Sequence, residues 1–429
     1  MTESALTNLA KSRTNGSPVG ITSVCSAHPL VLSAALQQAR RLNKSVLIEA
    51  TCNQVNQFGG YTGQTPKAFI DFVAGLAAQE GVPMDRIILG GDHLGPNPWR
   101  KEPAETAMAK AEEMVGAYVE AGFSKIHLDA SMGCAGEPAA LNDEITAERA
   151  ARLASVAEKI ARRRGTTPPC YVIGTEVPIP GGADHALDAI TPTSADAARE
   201  TLEVHRRTFA RNNLHGAYER VIALVVQPGV EFGNDNVITY APAATLHLTN
   251  LLNEYPTFVY EAHSTDYQSG EALSNLVQNG FSILKVGPEL TFALREAIYA
   301  LDMIATELVE GYGDRPLAAT MEKLMCDEPI YWKSYYKGSK RNQYVERHYS
   351  LSDRVRYYWG KGKAQAAWLH LQQVLSKVAI PTTLSSQYLP KLSAALVQTS
   401  SPQAIVIASV GEVLQRYDDA CACRQERQL

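Results

Sequence analysis

Two residues that could do chemistry stand directly behind a short apolar run and a glycine pair, in the stretch RIILGGDHLGPNPW. They are Asp92 and His93. The apolar run is typical of a strand buried on both faces, and the glycine pair marks its end. A carboxylate and an imidazole held at a strand end can transfer protons or bind a metal ion. We interpret Asp92 as a candidate catalytic residue and His93 as a candidate metal ligand.

The same pattern, an apolar run that ends in polar residues, recurs along the chain in alternation with helical stretches. Eight such alternations predict a parallel (β/α)₈ barrel, also called a TIM barrel, in the α/β class. A doubly wound open sheet is the alternative. It would need a glycine-rich phosphate turn after one strand, and the sequence contains no G-x-G-x-x-G motif.

In such a barrel the carboxyl ends of the strands meet at one rim, so polar residues far apart in sequence converge there. Two histidines from different strand ends, completed by carboxylates or amides, would form a divalent metal site, with zinc as the natural occupant. We expect the loops after strands seven and eight to hold anions on backbone amides. The candidates are Asp92, Glu176 and Asp129 for catalysis, His93, His263, Gln227 and Glu231 for the metal, and Glu49, Asn53, Gln54, His127, Ser264, Asp266, Lys285 and Gly287 for substrate.

Composition limits the partners and the location. The chain has 429 residues, a formal net charge of -5 and no basic block, which argues against nucleic acid as a partner. No run approaches the roughly 18 apolar residues of a membrane helix, and the amino-terminal stretch lacks the apolar region of a signal peptide. The seven cysteines show no disulfide or zinc-ribbon spacing. We expect a cytoplasmic protein without a membrane partner.

Shifts in composition predict four segments. Residues 1–18 are a polar leader, 19–313 the barrel, 314–417 a helical extension rich in tyrosine and tryptophan, and 418–429 a frayed tail. We expect the extension to pack on the barrel or on another subunit, which allows a homo-oligomer. Three functions fit these features: a metal-assisted lyase or epimerase of a sugar or sugar phosphate, a structural partner of a separate catalytic chain, and a carbohydrate-binding protein.

Several stretches between about Val19 and Pro390 carry a family resemblance. They are SVCSAHPLV, VLIEATCNQVNQFGGYTG, RIILGGDHLGPN, GFSKIHLDASM, YVIGTEVPIPGG, VVQPGVEF, VYEAHSTDYQ, ILKVGPELTFALREAI, YSLSDRVRYYW and SQYLP. The sequence resembles the Z-subunit family of class II D-tagatose-1,6-bisphosphate aldolase. The resemblance implies a non-catalytic component that a separate catalytic zinc aldolase subunit needs for full activity and stability, in the breakdown of galactitol, N-acetylgalactosamine or tagatose. Some such chains are labelled tagatose-6-phosphate kinases, but this sequence has no P-loop.

A more distant resemblance concerns the catalytic class II aldolases. Asp92 and His93 are similar to their proton-transfer aspartate and zinc histidine, His263 to a second zinc histidine, and GPEL at residues 287–290 to their phosphate loop. The sequence departs from that pattern at Gln227 and Glu231, where those enzymes have a His-Gly pair, and after His263, where they have a glycine-rich loop. We expect Gln227 or Glu231 to supply a third ligand. The alternative function is therefore a metal-dependent epimerase or aldolase that acts on a ketohexose, or on its phosphate, without a partner.

Overall fold

The apolar runs form eight parallel strands that close into a barrel in the computed structural model, which describes residues 5–174 and 190–422. Each strand pairs with the next along the chain, and the first pairs with the eighth. The predicted (β/α)₈ barrel is confirmed. The strands are β1 (Ile21–Val24), β2 (Val46–Thr51), β3 (Ile87–Leu94), β4 (Lys125–Leu128), β5 (Cys170–Ile173), β6 (Val221–Val225), β7 (Val259–Ala262) and β8 (Phe281–Val286).

Helices follow the strands and cover the outside of the barrel. Several begin at a serine, threonine or asparagine whose side chain accepts a hydrogen bond from a backbone N–H of the first turn, as at Thr65, Asn142 and Ser194. The helices are α1 (Ala5–Thr14), α2 (Pro29–Arg41), α3 (Pro66–Glu80), α4 (Ala104–Ala121), α5 (Asp143–Arg164), α6 (Ala195–Arg211), α7 (His215–Tyr218), α8 (Leu246–Leu251), α9 (Gly270–Gln278), α10 (Pro288–Leu308), α11 (Pro316–Asp327), α12 (Lys340–Tyr349), α13 (Gly362–Leu375), α14 (Thr382–Tyr388), α15 (Ala394–Thr399) and α16 (Pro402–Cys421).

The amino-terminal segment, predicted as a polar leader, contains helix α1. Its residues Leu6 and Leu9 are buried and pack against inward-facing strand residues such as Leu47, Val172 and Ile283. The two leucines lie three positions apart and so share one face of the helix. The helix therefore closes one end of the barrel with a small apolar core of its own.

The carboxyl-terminal extension is helical and returns to the barrel. Helix α16 packs against α2, α9 and α10. Near its end, the carbonyl oxygen of Cys421 accepts a hydrogen bond of 2.9 Å from the backbone N–H of Gly20, and the hydroxyl of Thr22 donates to Asp418 at 3.2 Å. Residues 418–421, predicted as part of a frayed tail, thus form the last turn of a packed helix, whereas residues 423–429 lie outside the described part of the chain.

A short helical turn of the extension, Arg354–Tyr358, lies against the loop that follows β2. The ring of Tyr357 stacks on Tyr331 at 4.7 Å between centroids and meets the edge of Tyr61 at the same distance. Aromatic contacts thus attach the extension to the mouth of the barrel. Within residues 5–174 and 190–422, no helix combines the length and the hydropathy needed to cross a membrane.

Candidate metal centre and substrate cavity

Four buried side chains converge at the carboxyl ends of strands β3, β4 and β7. One ligand atom from each of Asp92, His93, His127 and His263 lies within 4.8 Å of the others. None of the four residues is more than 5% exposed, and the three imidazole centroids are 4.8 to 5.2 Å apart. A carboxylate and three imidazoles at this spacing form a donor set that suits a divalent transition metal.

An irregularity in β3 directs both Asp92 and His93 toward this cluster. Neighbouring residues of a regular strand point to opposite faces. Here the register with β4 shifts between Gly91 and Leu94, and His93 takes a φ of 52°, in the left-handed region. A bulge of this kind redirects a side chain, and such backbone strain is common at functional sites.

The end of β3 also needs a glycine. A Cβ atom on Gly95 would lie 1.5 Å from the carbonyl oxygen of Asp129, so only glycine permits this approach of the two strand ends. The same approach brings Asp129 to His93, where Oδ2 of the carboxylate lies 2.7 Å from Nδ1 of the imidazole. The strand geometry thus fixes the carboxylate behind the ring.

Two of the three imidazoles are held by buried carboxylates on one nitrogen. Asp129 binds Nδ1 of His93, and Glu261 Oε1 lies 2.9 Å from Nε2 of His263. Each histidine thereby keeps its other ring nitrogen for the cluster. Pairing of a ligand histidine with a carboxylate is the usual support of a protein metal site, because it fixes the ring and increases its basicity.

The third imidazole, His127, is fully buried. Its Nδ1 lies 3.3 Å from the backbone nitrogen of His93, which donates to it, and 3.4 Å from Oδ1 of Asp92. Its Nε2 is buried and has no hydrogen-bond partner among the described residues. A buried nitrogen without a hydrogen-bond partner costs free energy unless another group binds it.

A layer of paired charges lies in the barrel interior beside the cluster. Lys125 contacts Glu49 and Glu261, each at 2.7 Å, while Lys285 contacts Asp92, Glu49 at 3.1 Å and Glu261 at 3.5 Å. Asp129, which contacts His93, adds a fourth buried carboxylate to the three that contact these two ammonium groups. Carboxylates therefore outnumber ammonium groups here, and further positive charge at the cluster, on His93 or on a bound cation, is favoured. The donor set and the charge both fit a metal ion.

The pKa values of the cluster residues shift in different directions. Burial raises the pKa of Asp92, but His93, Lys285 and the other histidines outweigh it and hold that pKa well below its usual range. Burial likewise disfavours a charged His93, yet the carboxylates of Asp92 and Asp129 raise its pKa. Burial lowers the pKa of His263 to about 3, despite its bond to Glu261. Asp92 is therefore ionised and His263 neutral, the forms that bind metals.

A cavity of about 920 Å³ opens above the cluster, close to the upper end of the volumes typical of small-molecule sites. Asp92, His93 and His263 line its inner end. Of the residues predicted to bind substrate, the cavity lining includes Asn53, Gln54, Ser264, Asp266, Lys285 and Gly287. Glu49, His127 and Asp129 do not line it. Glu49 belongs to the charge layer, His127 to the cluster, and Asp129 lies behind His93, where it positions the ring.

The structure does not bring Gln227 or Glu231 to the cluster, and their predicted role as ligands is corrected accordingly. Gln227 Oε1 accepts hydrogen bonds from the backbone of Gly229 at 2.8 Å and of Val230 at 3.0 Å, so the side chain caps its own turn. Glu231 accepts from the backbone N–H of Phe232 at 3.0 Å in a two-stranded hairpin. Glu176 lies outside the described residues.

The expected phosphate site at the start of α10 is occupied by a side chain of the protein. Asp266 Oδ1 accepts hydrogen bonds from the backbone N–H of Gly287 at 3.0 Å and of Glu289 at 2.8 Å. Burial raises the pKa of Asp266 to about 7, and the nearby Glu289 carboxylate adds to the effect. The amides that would bind an external anion are already used.

Several residues of the site are absent from the sequence-based candidates. Lys125 precedes His127 by two positions and Glu261 precedes His263 by two, so the strand period of two was a usable signal for both. Arg356 and Tyr61 line the outer part of the cavity. No local pattern marks Arg356, because it comes from the extension, far along the chain from the strands.

Fold and site together define a (β/α)₈ barrel protein with a candidate metal centre at the carboxyl-terminal rim of the strands. The chain belongs to the D-tagatose-1,6-bisphosphate aldolase subunit GatZ/KbaZ-like family, whose model matches residues 6–422. The family resemblance inferred from sequence is thereby confirmed.

Three known proteins are similar to this chain. A protein of Agrobacterium fabrum named D-tagatose 6-phosphate 4-epimerase is 57% identical over 97% of this chain and 98% of its own length. A crystal structure of a probable tagatose 6 phosphate kinase from Sinorhizobium meliloti has a TM-score of 0.86 and 52% identity, covering 94% of this chain and 100% of that one. The fructuronate-tagaturonate epimerase UxaE of Cohnella laeviribosi, with a TM-score of 0.51 and 13% identity over 95% and 82% of the two chains, shares the fold.

Proposed function

We propose that this protein is a metal-dependent 4-epimerase that interconverts D-tagatose 6-phosphate and D-fructose 6-phosphate. The buried cluster of Asp92, His93, His127 and His263 at the base of an open cavity is the observation that carries the proposal. A chain that served only as a scaffold would have no use for four buried ionisable groups gathered at one point, since burial of each costs free energy. The name of the Agrobacterium relative supports the same activity.

Inversion at C4 of a 2-ketose can proceed by reversible cleavage of the C3–C4 bond. The C4 hydroxyl loses its proton, the bond electrons move to C3 as an enediolate, and C4 becomes an aldehyde. Rotation of the aldehyde and re-formation of the bond on its opposite face give the epimer, and the proton returns to the C4 oxygen. No atom is gained or lost, and the reaction needs no oxidant.

The residues of the chain suit these proton movements. We assign His93, His127 and His263 to hold a divalent ion, with zinc as the first candidate. When bound, such an ion supplies Lewis-acid polarisation of the ketose carbonyl. Asp92 lines the cavity, is ionised, and is held by Lys285 and by the hydroxyl of Thr51 at 3.2 Å. We assign it to accept the C4 hydroxyl proton and to return it.

The proposal is tested with purified protein freed of metal by chelation. D-Tagatose 6-phosphate is added with Zn²⁺, Mn²⁺ or Mg²⁺, and D-fructose 6-phosphate is followed through isomerisation and NADP-dependent oxidation. We expect conversion with at least one ion, and none by the His263→Ala variant. Tight binding of the sugar without conversion would point instead to a carbohydrate-binding protein.

A second candidate role follows from the family description, which names an aldolase subunit. In that role the chain would support a separate catalytic class II aldolase. Co-purification with such an aldolase, and cleavage of D-tagatose 1,6-bisphosphate by each chain alone and by both together, tests it. The His93→Ala variant separates the two roles, because support of a partner does not require the cluster, whereas epimerisation does.

A further inference from the structure

A sugar phosphate needs a cationic or amide-rich counterpart for its phosphate group. Two groups near the inner end of the cavity could bind a phosphate, but both already bind carboxylates of the protein. The Lys285 ammonium contacts three carboxylates, those of Asp92, Glu49 and Glu261. The amides at the start of α10 donate to Asp266.

The outer part of the cavity offers a different cation. Arg356 lies in the turn Arg354–Tyr358 of the extension and lines the cavity. Its guanidinium donates to the backbone carbonyls of Ser352 and Asp353 and, at 3.0 Å, to the hydroxyl of Tyr357. Within residues 5–174 and 190–422 it forms no ion pair. A guanidinium that lines a cavity and pairs with no carboxylate of the described residues is suited to bind an external anion.

The charged residues around Arg356 also favour the binding of an anion. Arg354, on the same turn, is 3% exposed, donates to the carbonyl of Tyr331 at 3.1 Å, and leaves Nε and Nη2 without hydrogen-bond partners. The nearest acidic residue of the turn, Asp353, pairs with Arg295 at 3.3 Å. Although burial raises the pKa of Tyr357, Arg356 and Arg354 outweigh it and lower that pKa. The turn thus carries an excess of positive charge.

We propose that Arg356, together with the hydroxyls of Tyr61 and Tyr357, binds the phosphate group of the substrate while the sugar carbonyl lies at the histidine cluster. The inference rests on the proposed epimerase function and adds a specificity residue from the extension. The two tyrosine rings lie 4.7 Å apart at the edge of the cavity, beside the guanidinium. The extension then completes the active site, and the protein prefers a phosphorylated ketohexose to the free sugar.

The test compares binding of D-tagatose 6-phosphate, D-tagatose and inorganic phosphate by titration calorimetry. The variants are Arg356→Ala, Arg356→Gln and Arg356→Lys. We expect Arg356→Ala and Arg356→Gln to weaken binding of the sugar phosphate by about tenfold or more, because a hydrogen-bonded charge pair is lost. Binding of D-tagatose is expected to stay within about twofold, since no phosphate is involved. Arg356→Lys should lose less affinity for the sugar phosphate than Arg356→Ala, because lysine keeps the positive charge but lacks the paired N–H donors of the guanidinium.

Lys361 provides the matched control. It also lines the cavity, but its ammonium pairs with Glu328 at 2.6 Å. Lys361→Ala should therefore change the affinity for either sugar by no more than about twofold. If only the total positive charge of the cavity mattered, Arg356→Ala and Lys361→Ala would weaken phosphate binding equally.

The results separate the subsite from the proposed function. An equal loss of affinity for both sugars in Arg356→Gln, or no loss at all, would overturn the phosphate subsite. If the wild-type protein converts neither sugar phosphate, the epimerase proposal fails. The binding of inorganic phosphate still tests whether Arg356 forms a phosphate site. Phosphate binding that weakens in Arg356→Gln supports the subsite, and phosphate binding that is absent in the wild type, or unchanged in the variant, contradicts it.

Discussion

Asp129 Oδ2 lies 2.7 Å from Nδ1 of His93, and both side chains are buried at the junction of β3 and β4. The carboxylate also accepts a hydrogen bond from Ser131 at 3.1 Å, and the interaction with His93 lowers the pKa of Asp129 to about 2 against the effect of burial. Asp129 therefore stays ionised, orients the imidazole and leaves Nε2 of His93 to the cluster.

The first prediction is that Asp129→Asn weakens metal binding. An amide keeps the shape of the side chain but loses the charge that holds the ring, and loss of such a support costs about 10- to 100-fold in metal affinity. Titration of the metal-free protein with Zn²⁺ measures the effect. The exposed Asp71→Asn serves as control, because Asp71 pairs with Lys67 on the surface of α3, away from the cluster. Equal zinc affinities in Asp129→Asn and the wild type would contradict the assigned role.

The second prediction concerns the charge layer. Lys125→Met removes a fully buried ammonium and leaves Glu49 and Glu261 without the cation that lies 2.7 Å from each. Breaking a buried pair in this way typically destabilises a protein by about 3–5 kcal/mol. Unfolding in urea measures the free energy. Lys67→Met removes one member of an exposed pair with Asp71 and should cost no more than about 1 kcal/mol.

Much of the barrel was predictable, because its signals are local. Each strand is a short apolar run, several helices begin at their own capping residue, and the order of alternation defines the topology. His127, on β4, and Asp129, directly after it, could likewise be related from the period of two. The same rule applied to Lys125 and Glu261 would have revealed the charge layer.

Other features depend on contacts that no local pattern records. The orientation of His93 depends on a bulge and a left-handed φ, which tertiary packing of β3 against β4 imposes. Gln227 follows a strand end as predicted but turns back to bind its own backbone. Arg356 reaches the cavity only because the extension folds back over the barrel mouth.

The third prediction tests the amino-terminal helix. Leu9 is 2% exposed and belongs to the apolar core that closes one end of the barrel. Leu9→Ala should lower the free energy of unfolding by about 2–5 kcal/mol, since it leaves a cavity in a packed core. Thermal and urea unfolding measure it. Leu246→Ala, at a residue that is 55% exposed, is the matched control and should change stability by about 0.5 kcal/mol or less. Equal effects of the two substitutions would mean that α1 does not stabilise the fold.

The fourth prediction is a pH dependence that originates at Asp266. Its pKa is raised to about 7 in the folded protein, above the ordinary value of 3.8, chiefly by burial. Between these two values the folded state binds a proton that the unfolded state has released, so this group's contribution to stability is present below about pH 4 and is lost as the pH rises to about 7. Asp266→Asn keeps an oxygen acceptor for the amides of Gly287 and Glu289 but cannot titrate.

The quantity to measure is therefore the difference in free energy of unfolding between the wild type and Asp266→Asn, from pH 4 to pH 8. We expect the wild type to lose stability relative to the variant by on the order of 2–4 kcal/mol across this range, with no further change above it. Taking the difference cancels the titration of the other buried groups, and Asp71→Asn corrects for the loss of one surface charge. If the wild type instead gained stability relative to Asp266→Asn as the pH rises, the helix amides, rather than burial, would dominate at Asp266, because they favour the ionised carboxylate.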